Sequence, residues 1–220
     1  MFKFFLFHLC LFIIVLNMQW SYALDNNSPG CAVDFNIKTN NFDQNSISYK
    51  DIDSMVRISA GDFVIVGIVA QNVSKLKLFQ VKVIYSTEKL LFLRGNEDFI
   101  DIFNPNNSRY NLLKKTGENT IWISPTDNQG GCITLSSSIS GKSDEIVAPD
   151  GSGFLSFLYF KVLKDNSTIS ITFTDVHYVD TDDNNTLIIN HIPGIINFDI
   201  VQDKKIGISD IISIMHYLSQ

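Results

Sequence analysis

The chain has 220 residues, of which 45% are apolar and 12% aromatic, and 17 Lys and Arg against 23 Asp and Glu leave a net charge of -6. That is enough apolar material for one domain of ordinary size with a small appendage. No cluster of Lys or Arg is present to neutralise phosphates, which argues against nucleic acid and against an anionic membrane surface as partners.

Residues 1–23 read as an export signal. Lys3 supplies the positive end, "FFLFHLCLFIIVL" the apolar run, and "SYA" a small-residue cleavage site ending at Ala23. The run is shorter than the roughly 20 residues that a bilayer-spanning helix needs, so cleavage is expected in preference to a membrane anchor. The expected mature protein is secreted, extracellular or at the cell surface, with the periplasm as the alternative. Cys10 leaves with the signal. Cys31 and Cys132 remain, and in an oxidising compartment they form either one disulfide or two separate thiols.

A polar linker, "LDNNSPG" at 24–30, precedes a long run of strand patterns. "CAVDFNI" places Val33, Phe35 and Ile37 on one face at period two. "FVIVGIVAQN" (63–72) is apolar on both faces, as in a central strand. "LKLFQVKVIY" sets Phe79, Val81, Val83 and Tyr85 opposite Gln80 and Lys82. "GFLSFLYFKVL" (153–163) and "STISITFTDV" (167–176) continue the pattern, the latter with Ile169, Ile171 and Phe173 inward. "HYVDTDDNNTLII" reads as a hairpin whose turn is built from Asp and Asn. Gly, Asn, Asp, Ser and Pro clusters separate these segments, and no helical period precedes residue 208. An all-β, antiparallel sandwich is expected, because no crossover helices are available for a parallel sheet. One short C-terminal helix follows, with Ser209 or Asp210 as its cap and Ile208, Ile211, Ile212, Met215 and Leu218 on one face.

The sequence offers little chemistry. His177, His191 and His216 lack zinc-site spacing, and "GSG" at 151–153 lacks the strand-to-helix context of a nucleophile elbow. The carboxylates cluster in turns ("DIDS", "NED", "DTDD"), where solvation accounts for them. With Trp20 in the signal, Trp122 is left as the one tryptophan for stacking sugars. No enzymatic activity is expected.

The segments "SAGDFVIVGIVAQNVSKLKLFQVKVIYSTEKLLFL", "GSGFLSFLYFKVL" and "STISITFTDVHYVDTDDN" together resemble a cohesin domain, over residues 31–198, with 95–150 departing most. The resemblance implies a jelly-roll sandwich that recognises dockerin-bearing proteins through a sheet face and performs no catalysis. Residues 199–220 resemble a degenerate half dockerin, half EF-hand-like. In the twelve-position calcium loop Asp199, Asp203 and Asp210 would take positions 1, 5 and 12, and Lys205 would offer its carbonyl at position 7. Val201 replaces a ligand at position 3, and Lys204 stands where a turn Gly is usual. Calcium is thus a candidate cofactor, while Ile208, Ser209, Ile211, Ile212 and Met215 are candidate binding residues of the helix. The resulting expectation is a secreted adaptor in protein–protein assembly, connected with polysaccharide binding and catabolism. A carbohydrate-binding module acting on polysaccharide directly, or a cell-surface structural or adhesion protein, is the alternative.

Overall fold

The structure is a computed structural model that describes residues 28–37, 52–128, 130–142, 145–164 and 168–198. The strands are β1 (Gly30–Asp34), β2 (Met55–Ile58), β3 (Phe63–Val73), β4 (Leu76–Ile84), β5 (Leu90–Asn96), β6 (Thr120–Ile123), β7 (Cys132–Ile139), β8 (Gly151–Val162), β9 (Ile169–Asp180), β10 (Asn185–Ile188), β11 (Asn190–Ile192) and β12 (Gly194–Phe198). They form two packed sheets, ordered β11-β1-β3-β8-β5 and β2-β12-β9-β4-β7-β6, with β10 added to β9. The architecture is the all-β jelly-roll sandwich expected. Short 3-10 turns at Pro105–Asn107 and Leu112–Thr116 are the helical elements among the described residues. The segment expected to be a signal, 1–23, and the tail at 199–220, with the helix expected there and every candidate calcium ligand, lie outside them.

Among the described residues the pairings are antiparallel with two exceptions: β1 lies parallel to β11, and β12 parallel to β2. The absence of crossover helices does not forbid this, because each parallel pair joins strands far apart in sequence rather than consecutive ones. The sequence had suggested antiparallel pairing throughout.

The period-two strands supply the core. Val64, Val66, Ile68 and Ala70 of β3 face Phe79, Val81 and Val83 of β4 and Ile169 and Ile171 of β9 across the sandwich, with Leu155, Leu158 and Phe160 of β8 among them. Burying one such side chain stabilises by about 1.5–3 kcal/mol. Ser137 of β7 is also buried, and its hydroxyl meets the Glu97 carboxylate at 3.4 Å. Glu97 also accepts from Thr120 Oγ1 (2.6 Å) and pairs with Lys114 Nζ (2.7 Å). The pairing is what lets a carboxylate sit at the sandwich margin without the full cost of desolvation.

The strand predicted over 31–37 stops at Asp34. The buried Asp34 carboxylate accepts from Asn36 N at 2.9 Å and from Asp53 N at 3.3 Å, turning the chain. Ile37 therefore leaves the main core and joins a second cluster on the outer face of the five-stranded sheet, with Ala32, Ile52, Val69, Phe99, Phe154 and Phe157. Gly67 makes room for it, since a Cβ there would lie 2.5 Å from the Phe154 ring. Much of this outer face is thus already covered, by the segments carrying Ile37, Ile52 and Phe99.

The Cys31–Cys132 bridge does not form, and both thiols are free. Cys31 sits in β1 of one sheet, against Tyr178, whose strand neighbour on β4 is Phe79. Cys132 pairs with Ile84, five residues further along β4, in the other sheet. Five residues of strand span about 17 Å, far beyond the roughly 7 Å Cα separation that a disulfide can close. Burial pushes the Cys31 thiol up to about 12, so it stays protonated. Tyr178 OH, equally buried, donates to Gly30 O at 3.0 Å and ties the two sheets together.

Candidate functional site

Strands β9, β4, β7 and β6 present an outer face on the seven-stranded sheet. Because Phe79, Val81 and Val83 of β4 point to the core, period two turns Leu78, Gln80, Lys82 and Ile84 outward. On β7 the outward set is Cys132, Thr134, Ser136 and Ser138, and on β6 it is Ile121 and Ile123. The register aligns these side chains in rows. Val179, Leu78, Ser138 and Ile121 form one row, and His177, Gln80, Ser136 and Ile123 the next. Thr174, Lys82 and Thr134 then follow, and finally Thr172, Ile84 and Cys132.

A bulge between Gln80 and Lys82 places Asp175 in a left-handed conformation (φ 58°) at the rim of this face. Lys82 Nζ donates to Asp175 Oδ2 at 2.5 Å, and Asp175 Oδ1 lies 3.3 Å from His177 Nε2. The His177 ring is held from its other nitrogen by Asn185 Oδ1 at 3.0 Å. The hydrogen bond from Lys82 holds the Asp175 carboxyl below its usual range and, reciprocally, raises the Lys82 ammonium. Ion pairs as exposed as this one contribute little to stability. What they supply is fixed polarity: a charged centre framed by serines and threonines, with apolar Leu78, Ile121 and Ile123 along one border.

His177 is a half-buried residue of β9, and among the described residues it stands apart from any second histidine that could share a metal. His191 is also structural, meeting Ile188 O at 2.8 Å and packing on Phe173 at 5.5 Å, and burial lowers its pKa. Among the described residues no group of three or more His, Cys, Asp or Glu could hold a metal. A groove of about 410 Å³ runs beside Arg109, Tyr110, Lys114 and Phe154, but the Lys114 ammonium is already paired with Asp98 and Glu97. Trp122 points inward from β6 and packs on the core, so it offers no sugar-stacking surface. Among the described residues no helix is long and apolar enough to cross a membrane. Apart from Cys132, no residue of the outer face stood out in the sequence as a candidate site. Period two did mark Gln80 and Lys82 as outward, and that was the available signal.

No protein-family model and no curated protein matched the chain. Solved structures did match, cohesins among them. The sixth cohesin of Acetivibrio cellulolyticus scaffoldin B, solved with a Cel5 dockerin mutant, superposes with a TM-score of 0.53 at 12% identity, covering 78% of this chain and 99% of that one. A non-cellulosomal cohesin from Archaeoglobus fulgidus gives 0.51 at 12% identity, over 80% and 94%. The OlpC cohesin of Clostridium thermocellum, solved in a type I cohesin–dockerin complex, gives 0.52 at 14% identity, over 77% and 92%. The chain therefore has a cohesin-type fold.

Proposed function

We propose that this protein is a non-catalytic assembly module that docks a dockerin-like partner protein on the outer face of β9-β4-β7-β6. The observation that carries this reading is the face itself. Four strands lie open, with a polar centre and an apolar border, on a fold whose solved neighbours include cohesins captured with dockerins. A face of this kind suits a standard-sized protein interface, in which apolar contacts anchor and fixed polar groups set register. Export and a place among polysaccharide-degrading proteins at the cell surface belong to the same reading. So does a weak calcium site in the tail at Asp199, Asp203, Lys205 and Asp210.

The test is capture of dockerin-bearing proteins from the secreted fraction of the source cells on the immobilised protein, beside a Ser136→Arg variant. Ser136 lies at the centre of the face with its side chain outward, so the variant keeps the fold and blocks docking. Capture by the parent and its loss in the variant is the expected result. Retention on insoluble polysaccharide without any captured protein would replace the proposal with direct glycan binding.

A further inference from the structure

Among the described residues, nothing covers one corner of the outer face of the five-stranded sheet. Phe63, Lys161 and Leu91 form a row across β3, β8 and β5. Phe63 is 67% exposed and Leu91 48%, while Leu93, at the β5 bulge, and Leu163, just past β8, are 45% and 43% exposed. Lys161 Nζ lies 6.0 Å over the Phe63 ring, and Arg94 lies 4.5 Å over Tyr159 in the next row. This apolar corner is rimmed by Lys89, Arg94, Lys161 and Lys164, which outnumber Asp62 and Glu88. Four large apolar side chains open to water at one corner mark a contact surface more often than a bare one.

The chain itself brings an occupant to this corner. The last described strand, β12, ends at Phe198, beside Ile58 of β2. Asn197 Oδ1 accepts from Thr168 Oγ1 (3.3 Å), Thr168 O accepts from Lys89 Nζ (3.2 Å), and Lys89 O accepts from Leu163 N (2.7 Å). The point where the tail departs is thus stitched through two residues to the apolar corner. Residues 199–207, at most about 30 Å when extended, are long enough to cross it. The stripe that follows, Ile208 to Leu218, spans about 16 Å as a helix, against about 10 Å for the three strands of the corner. A helix of that length is marginal in water unless its apolar face is buried.

We propose that the tail folds back in cis, packing Ile208, Ile211, Ile212 and Met215 on Phe63, Leu91, Leu93 and Leu163 of the same chain. The short connection raises the local concentration of the helix at this corner to about the millimolar range, which favours the chain's own corner over that of a second copy. The contact uses the sheet opposite the proposed docking face, so the two readings stand or fall separately.

Cross-linking tests the proposal in the full-length chain carrying Cys10→Ser and Cys132→Ser, with buried Cys31 left in place. Leu91→Cys combined with Ile212→Cys, oxidised at low protein concentration, should give a cross-linked monomer that migrates faster on a non-reducing gel. Ser136→Cys with Ile212→Cys, on the opposite sheet, should not. Cross-linked dimers, no cross-link, or equal cross-linking of both pairs would overturn the proposal. In a separate chain, amide exchange over 208–218 should be protected, and Phe63→Asp with Leu91→Asp should abolish that protection without lowering the unfolding midpoint of the sandwich. Unchanged protection in that variant would overturn it as well.

Discussion

Replacing Gly67 by Ala tests how the outer face of the five-stranded sheet is closed. The added Cβ would sit 2.5 Å from Phe154 Cε1 and 2.9 Å from Cδ1, where carbon atoms rest at about 3.5–4.0 Å. The ring must therefore retreat by about 1 Å. It has little room to do so, being 2% exposed, with its centroid 4.9 Å from that of Phe157. Overpacking of this kind costs about 1–3 kcal/mol. The reduced freedom of the unfolded chain on replacing Gly by Ala returns about 0.4–1 kcal/mol, leaving a net loss of about 1–2 kcal/mol. For a domain of this size that lowers Tm by about 2–8 °C. Urea unfolding followed by circular dichroism measures the loss, and the decisive variant is the double mutant with Phe154→Leu. If the clash with the ring is the cause, Gly67→Ala becomes nearly neutral beside Phe154→Leu, a coupling of about 1 kcal/mol or more. Additive effects, or a Gly67→Ala protein as stable as the parent, would refute the packing argument.

Alkaline pH should weaken the fold through Cys31. Its folded pKa, pushed up by burial from the ordinary 9.0 to about 12, means that the native state holds a proton which the unfolded chain releases above pH 9. The stabilisation is complete below pH 9 and falls as pH rises from 9 towards 12, by up to about 1.4 kcal/mol per pH unit. Urea midpoints at pH 8 and 10 should diverge in the parent, and less so in Cys31→Ala. Tyr178→Phe removes the inter-sheet hydrogen bond to Gly30 O and should cost about 0.5–1.5 kcal/mol in urea unfolding at neutral pH. In the tail, calorimetric titration with calcium should give weak heats that Asp203→Ala abolishes; indistinguishable heats for the two proteins would remove the metal.

Strand β4 was legible because it alternates from Leu78 to Ile84, β9 because it alternates on either side of its bulge, and β3 because it is an almost unbroken apolar run. β7 alternates just as regularly, in and out along its whole length, yet its Ser136, Ser137 and Ser138 hide the pattern. Only the remote Glu97 makes a buried Ser137 acceptable. The four-residue β6 and the bulged β5 are too short or too irregular for periodicity to mark. The parallel edge pairs and the unbridged cysteines depend on which distant segments meet, and local sequence does not encode that. The same holds for the candidate site. Period two identified outward residues on both sheets, but which outer face stays open is settled by Phe99, Ile37 and Ile52 folding over the other one.

Both chain ends of the sandwich are interior strands. β1 is held between β11 and β3, and β12 between β2 and β9. Gly194, at the start of β12, packs against Val33 and Phe35, near the end of β1, and β12 runs on from there to Phe198. The chain thus enters at one pole and leaves at the other. Tension applied between the two ends pulls each terminal strand lengthwise past two neighbours. Their ladder hydrogen bonds are then loaded together in shear instead of opening one after another like a zip. A module tethered at one end and pulled through the other is built to resist that force.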